Sequence, residues 1–132
     1  MSGTLDPNDP VNKITDKIID AAFKLHRQYG AGLLESAYEH LMVYELTKNY
    51  GLKVERQKTL PINHEGEIID AGYRLDLVVE NMVLVELKAV EKMNPVFEAQ
   101  LITYLKLSGM KVGLLMNFNA VLLKDGLKRI VV

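Results

Sequence analysis

At 132 residues the chain is one domain's worth of polypeptide, long enough to bury roughly two-thirds of its extended surface in a single core. A composition of 48% hydrophobic and 25% charged residues, with 9 Gly and 4 Pro, excludes disorder, collagen and low complexity for the bulk of the chain. The absence of cysteine removes disulfide scaffolds, thiolate metal sites and thiol nucleophiles, and a net charge of −1 offers no bulk attraction to nucleic acid or membrane.

Residues 1–10 (MSGTLDPNDP) read as a flexible N-terminal arm, and 11–132 as a single domain. The arm has neither the basic start nor the apolar stretch of a signal peptide, and no later run approaches the ~18 apolar residues of a membrane span. The expectation is a soluble, cytoplasmic protein that does not engage membranes. Val11, Ile14, Ile18, Ala21, Leu25 and Tyr29 recur at three- and four-residue spacing and predict an amphipathic helix ended by Gly30. After Gly30-Ala31-Gly32, the spacing of Leu34, Ala37, Tyr38, Leu41 and Leu46 predicts a second helix stopping near Tyr50-Gly51. The period then changes to two, giving a strand over residues 52–60, a turn at 64–67 and a strand around Ile68 and Ile69. Residues 74–80 and 82–90 form two more strands. Asn94-Pro95 is an N-cap followed by proline at the first helical position, and the third helix runs to Ser108-Gly109. Residues 112–118 and 121–123 read as apolar strands, Lys124-Asp125-Gly126 as a hairpin turn, and 127–132 as a last strand. This order describes a mixed α/β domain with helices on both sides of a central sheet.

The central hairpin is where chemistry could reside. Asp76 interrupts the apolar run Leu75 to Val79, and Glu86 and Lys88 interrupt Val83 to Leu87. Strand alternation puts Leu75, Leu77 and Val79 on one face with Val83, Val85 and Leu87, and Asp76 and Val78 on the other with Leu84, Glu86 and Lys88. That facing requires Asp76 opposite Glu86, hence a three-residue connection at Glu80 to Met82 or a bulge. Carboxylates and a lysine among buried aliphatics are costly unless they pair or bind a metal. The bland alternatives are a buried salt bridge or a face open to water, and for Glu86-x-Lys88 alone these are the commoner outcome. Gln100 and Tyr104 share a face of the third helix at i, i+4, and Glu35 and Tyr38 share a face of the second; each alone is an ordinary amphipathic-helix residue.

Other features are bland. Gly30-Ala31-Gly32 follows a helix and lacks the third glycine of a dinucleotide fingerprint. His26, His40 and His64 have no metal-ligand spacing and read as surface or hydrogen-bonded histidines. Arg56 and Lys58 share a strand face, where contact with solvent is favoured over contact with phosphates.

Taken together, the polar positions resemble a known pattern. Gly32-Leu33-Leu34-Glu35-Ser36-Ala37-Tyr38 is similar to the signature of the GxxExxY protein family. Asp76 followed by Glu86-Leu87-Lys88 resembles the D…(D/E)xK core of the PD-(D/E)xK nuclease superfamily, although Arg74-Leu75 stands where the superfamily name has a proline. Gln100-Leu101-Ile102-Thr103-Tyr104 is similar to the QxxxY motif of its RecB-like and phage-exonuclease branches. The resemblance runs from about Lys13 to Ile130 and takes in Arg56-Gln57. It implies a restriction-endonuclease-like α/β fold, a mixed central sheet flanked by helices, and a nuclease that hydrolyses phosphodiester bonds in DNA or RNA with Mg2+ or Mn2+. Asp76, Glu86, the Leu87 carbonyl and Glu35 would be the oxygen ligands of the ion. Lys88 would orient or deprotonate the attacking water and stabilise developing charge. Gln100 and Tyr104 would position the lysine or contact nucleic acid. Nucleases of this fold often pair to cut both strands, and apolar residues 112–123 would offer a strand edge for a homodimer. A different class of function is a catalytically silent nuclease-like fold that binds nucleic acid or protein; a purely structural protein would leave the charges of the hairpin without a reason.

Overall fold

Helix α1 (Val11–Tyr29) begins the regular structure of the computed structural model, which describes residues 5–132. Positions 1–4 of the expected arm lie outside the described residues. The rest of that segment is tied to the helix start: Asn12 Nδ2 donates to the carbonyls of Asp6 and Pro7, and Asp9 Oδ1 accepts from Val11 N–H. The apolar stripe of α1 buries Ile18, Ala21, Ala22 and Leu25, and Gly30, at φ 75°, ends the helix with its N–H on the His26 carbonyl. Helix α2 (Glu35–Lys48) packs beside α1, and Lys24 of α1 pairs with the buried Glu45 of α2.

Strands β1 (Val54–Thr59), β4 (Arg74–Val79), β5 (Val83–Lys88), β6 (Val112–Asn117) and β7 (Leu127–Val131) form one sheet in the order β1-β4-β5-β6-β7. The pair β5 and β6 is parallel and the others antiparallel; β2 (Ile62–His64) and β3 (Glu67–Ile69) form a separate two-stranded ribbon. A parallel pair needs a crossover, and α3 (Pro95–Ser108) supplies it. Asn94 caps α3 by accepting from Val96 N–H at 3.0 Å, as its place before Pro95 predicts. Helices α1 and α2 cover one face of the sheet, over Leu77, Val79, Val83, Val85, Leu87 and Met116. Helix α3 covers the other, setting Leu101 and Leu105 on Leu75, Val78, Leu84 and Leu115. Gly113 lets α3 sit close: a Cβ there would meet the buried Leu101 side chain at 2.9 Å. This is the mixed α/β fold that the sequence predicts.

Three expectations need correction. Residues 121–123 form no strand. Val121 and Leu122 are exposed, Leu123 turns into the core, and a 3-10 turn (Leu123–Gly126) leads directly into β7. Gly126 lies against the end of β6, where a Cβ would stand 2.6 Å from the Asn117 carbonyl, so the segment folds back onto β6. Consequently residues 112–123 present no free edge: β6 is paired on both sides, and the edges are β1 and β7, which display Glu55, Arg56, Lys58, Lys128 and Arg129. Finally, Leu75 does not share a face with Leu77 and Val79, nor Arg56 with Lys58. Leu77, opposite Arg56, lies under α1 and α2, whereas Leu75, opposite Lys58, lies under α3. The change of face falls between Arg56↔Leu77 and Lys58↔Leu75, at Gln57 and Asp76, which form no register pair, and Gln57 there has φ 54° in the left-handed region.

Candidate active site

The register Val79↔Val83 and Leu77↔Val85 carries Asp76 to a place opposite Glu86, with Glu80 to Met82 as the three-residue connection. Glu80 and Asn81 take positive φ there, and Met82 N–H closes the turn on the Val79 carbonyl. Beyond Leu77↔Val85 the two strands part, and side chains take over from the backbone ladder. Leu87 N–H donates to Asp76 Oδ2 at 2.9 Å, and Asp76 N–H reaches Glu86 Oε1 at 3.4 Å. The carboxylates thus satisfy backbone donors that the parting would orphan. The Lys88 carbonyl accepts from Phe118 N–H on the β6 side. Strand alternation therefore turns the Leu87 carbonyl toward β4, the side on which its N–H meets Asp76.

Glu35, Arg74, Asp76, Glu86, Lys88, Phe97, Gln100, Leu101 and Tyr104 line one cavity of about 210 Å³ between this fork and α3. All six side chains singled out in the sequence stand around it. Glu35 arrives from the first turn of α2, which begins after the glycine loop; Tyr38 fixes that loop by hydrogen-bonding the Gly30 carbonyl and stacking on Phe118 at 4.1 Å. Gln100 and Tyr104 descend from one face of α3, and the Tyr104 ring meets that of the exposed Tyr73 at 5.8 Å. Lys88 takes part in no ion pair among the described residues; its Nζ lies 4.4 Å from the centre of the Phe97 ring. The salt-bridge alternative for Glu86 and Lys88 is not what the fold forms. Two larger cavities, of about 310 and 460 Å³ beside Met110, contain at most one carboxylate, Asp9.

Burial shapes the titration of the site. Glu86 is 7% exposed. Its carboxyl is pushed up to about 9, first by loss of water and then by the hydrogen bond and charge of Asp76. Glu35 is raised by desolvation and by Asp76, with Lys88 opposing. Tyr104 is raised by desolvation and by Glu86. Among the described residues no cluster of three carboxylate or imidazole side chains closes into a ready metal cage. The donor chemistry nevertheless suits a hard divalent ion: Asp76 and Glu86 touch one another, neither is in an ion pair with a cationic side chain among the described residues, and a cation between them would take the place of the proton that Glu86 holds.

To three neighbours of the site the sequence reading assigns no role there. Arg74 lies two residues before Asp76 and lines the same cavity. Glu39, only 7% exposed, follows Glu35 by one helical turn, a spacing that could have flagged it. The side chain of Gln57 reaches both Glu39 and Asp76, and no periodicity signals that.

Carboxylates and a lysine where two central strands part, in a mixed sheet with helices on both faces, define a restriction-endonuclease-like protein. Residues 12–130 match the PD-(D/E)XK nuclease superfamily, and the chain belongs to it. No curated protein and no solved structure matches the chain.

Proposed function

We propose that the chain is a divalent-metal-dependent nuclease, of the GxxExxY type, that hydrolyses phosphodiester bonds of a nucleic acid in the cytoplasm. The observation that carries this reading is the fork itself: three carboxylates converge with a lysine that takes part in no ion pair among the described residues. Asp76, Glu86, the Leu87 carbonyl and Glu35 would hold Mg2+ or Mn2+. When bound, such an ion supplies positive charge against the scissile phosphate and acidifies water. The chain's own groups do the rest. Lys88 holds its ammonium beside the carboxylates, free to donate to the attacking water or to charge developing on a phosphoryl oxygen. Gln100 and Tyr104 offer an amide and a hydroxyl from the α3 wall to the strand being cut, and Arg74 offers a guanidinium at the same wall.

The test is a cleavage assay on single- and double-stranded DNA and RNA, with Mn2+ and with EDTA, on wild type and Lys88→Ala. Cleavage confined to the wild type with metal is expected. Failure of Mn2+ to bind the wild type in calorimetry would leave only the silent binding module.

A further inference from the structure

In a regular strand successive side chains point to opposite faces. Arg56 and Gln57 break that rule, because both reach the same residue of α2. Arg56 Nη1 stands 3.8 Å from Glu39 Oε1, and Gln57 Nε2 donates to the same oxygen at 2.6 Å. The left-handed φ of 54° at Gln57 is what re-aims its side chain. Such a conformation is unfavourable for a residue with a Cβ, and it persists only where the surroundings hold it. The same amide lies 3.3 Å from Asp76 Oδ1, while Oδ2 of Asp76 accepts from Leu87 N–H. Both oxygens of Asp76 are therefore held by donors outside the cavity lining, and Glu39 anchors the amide that holds one of them.

We infer that Gln57, held by Glu39, is a positioning residue that orients Asp76 for metal. This rests on the nuclease reading above. A half-buried amide between two carboxylates donates to both while separating their charges, and it leaves the remaining lone pairs of Asp76 to Glu86 and a metal. Groups that orient a metal ligand in this way typically change affinity 10–100-fold when removed.

Gln57→Gly tests the role, since glycine adopts positive φ without strain while the side chain that carries the amide is removed. In Mn2+ titration calorimetry on the full chain, this variant should melt no lower than wild type in EDTA yet bind Mn2+ about 10–100-fold more weakly. Glu39→Ala should weaken Mn2+ similarly, and the double variant should be no weaker than the worse single one, because both act through one link. Unchanged Mn2+ affinity in Gln57→Gly, additive losses in the double variant, or a glycine variant that does not fold would each overturn the inference. Absence of Mn2+ binding in the wild type would instead refute the nuclease reading on which it stands.

Discussion

Glu86→Gln replaces a buried, proton-holding carboxyl with a neutral group of the same shape, and the metal-free protein should become more stable for it at neutral pH. The sign follows from where the proton sits. In the folded, metal-free chain the carboxyl is pushed up to about 9, against an ordinary value of 4.5. Between those values the folded state keeps a proton that the unfolded state has released. The stabilisation is therefore complete below the ordinary value and is lost as pH rises toward the folded one. One proton of difference is worth about 1.4 kcal/mol per pH unit. From about pH 5.5 to about pH 7.5 the wild type should thus lose about 3 kcal/mol, a large share of the 5–15 kcal/mol typical of a domain. The glutamine has no proton to lose, so its stability should stay flat across that range. In EDTA at about pH 7.5 the variant should melt about 10 °C above wild type. Manganese should reverse the order, stabilising the wild type and leaving the variant unmoved, because Glu86 is one of the expected ligands. Thermal melts at several pH values, with EDTA and with Mn2+, read all of this. A wild type whose stability does not fall between those pH values, or a variant less stable at the upper one, would show that Glu86 is ionised and paired in the free protein, contrary to the reasoning.

Lys88→Ala should abolish cleavage while leaving Mn2+ affinity within about twofold and stability within about 2 kcal/mol, since it deletes a cation–π contact and no ion pair among the described residues; a severely destabilised protein in thermal melts would revive the salt-bridge alternative. Asp76→Asn keeps an acceptor for Leu87 N–H but sets its Nδ2 against the Gln57 amide, and should lose Mn2+ binding at a cost of about 1 kcal/mol, whereas Asp76→Ala orphans Leu87 N–H and should cost about 1–3 kcal/mol; urea unfolding of the pair separates the two effects. Gly113→Ala should cost about 1–3 kcal/mol and lower cleavage, because the added methyl meets Leu101, which lines the cavity, and pushes α3 from the fork; full activity with an unchanged melt would show that α3 yields without moving the site.

The elements were legible in the sequence because each rests on a local rule. The stripe of α1, the Asn94-Pro95 start of α3 and the place of Asp76 opposite Glu86 follow from spacing, capping and alternation, all of which act over a few neighbours. The same alternation puts Glu86 and Lys88 on one face of β5. It went wrong at residues 121–123, where apolar composition suggested a strand: Val121 and Leu122 are exposed, and only the fit of Leu123 into the core and of Gly126 against Asn117 makes the segment turn back. It went wrong again at Leu75 and Lys58, because the left-handed residue is a glutamine, and φ is not written in a residue that normally avoids that region. Tertiary structure alone brings Glu35 round the end of the sheet to Asp76, lays Lys88 over Phe97 in place of a carboxylate, and sets Gln57 between Glu39 and Asp76. Each of these contacts joins groups from different elements, and its geometry depends on how the helices pack and where the strands part, which no period within a single segment encodes.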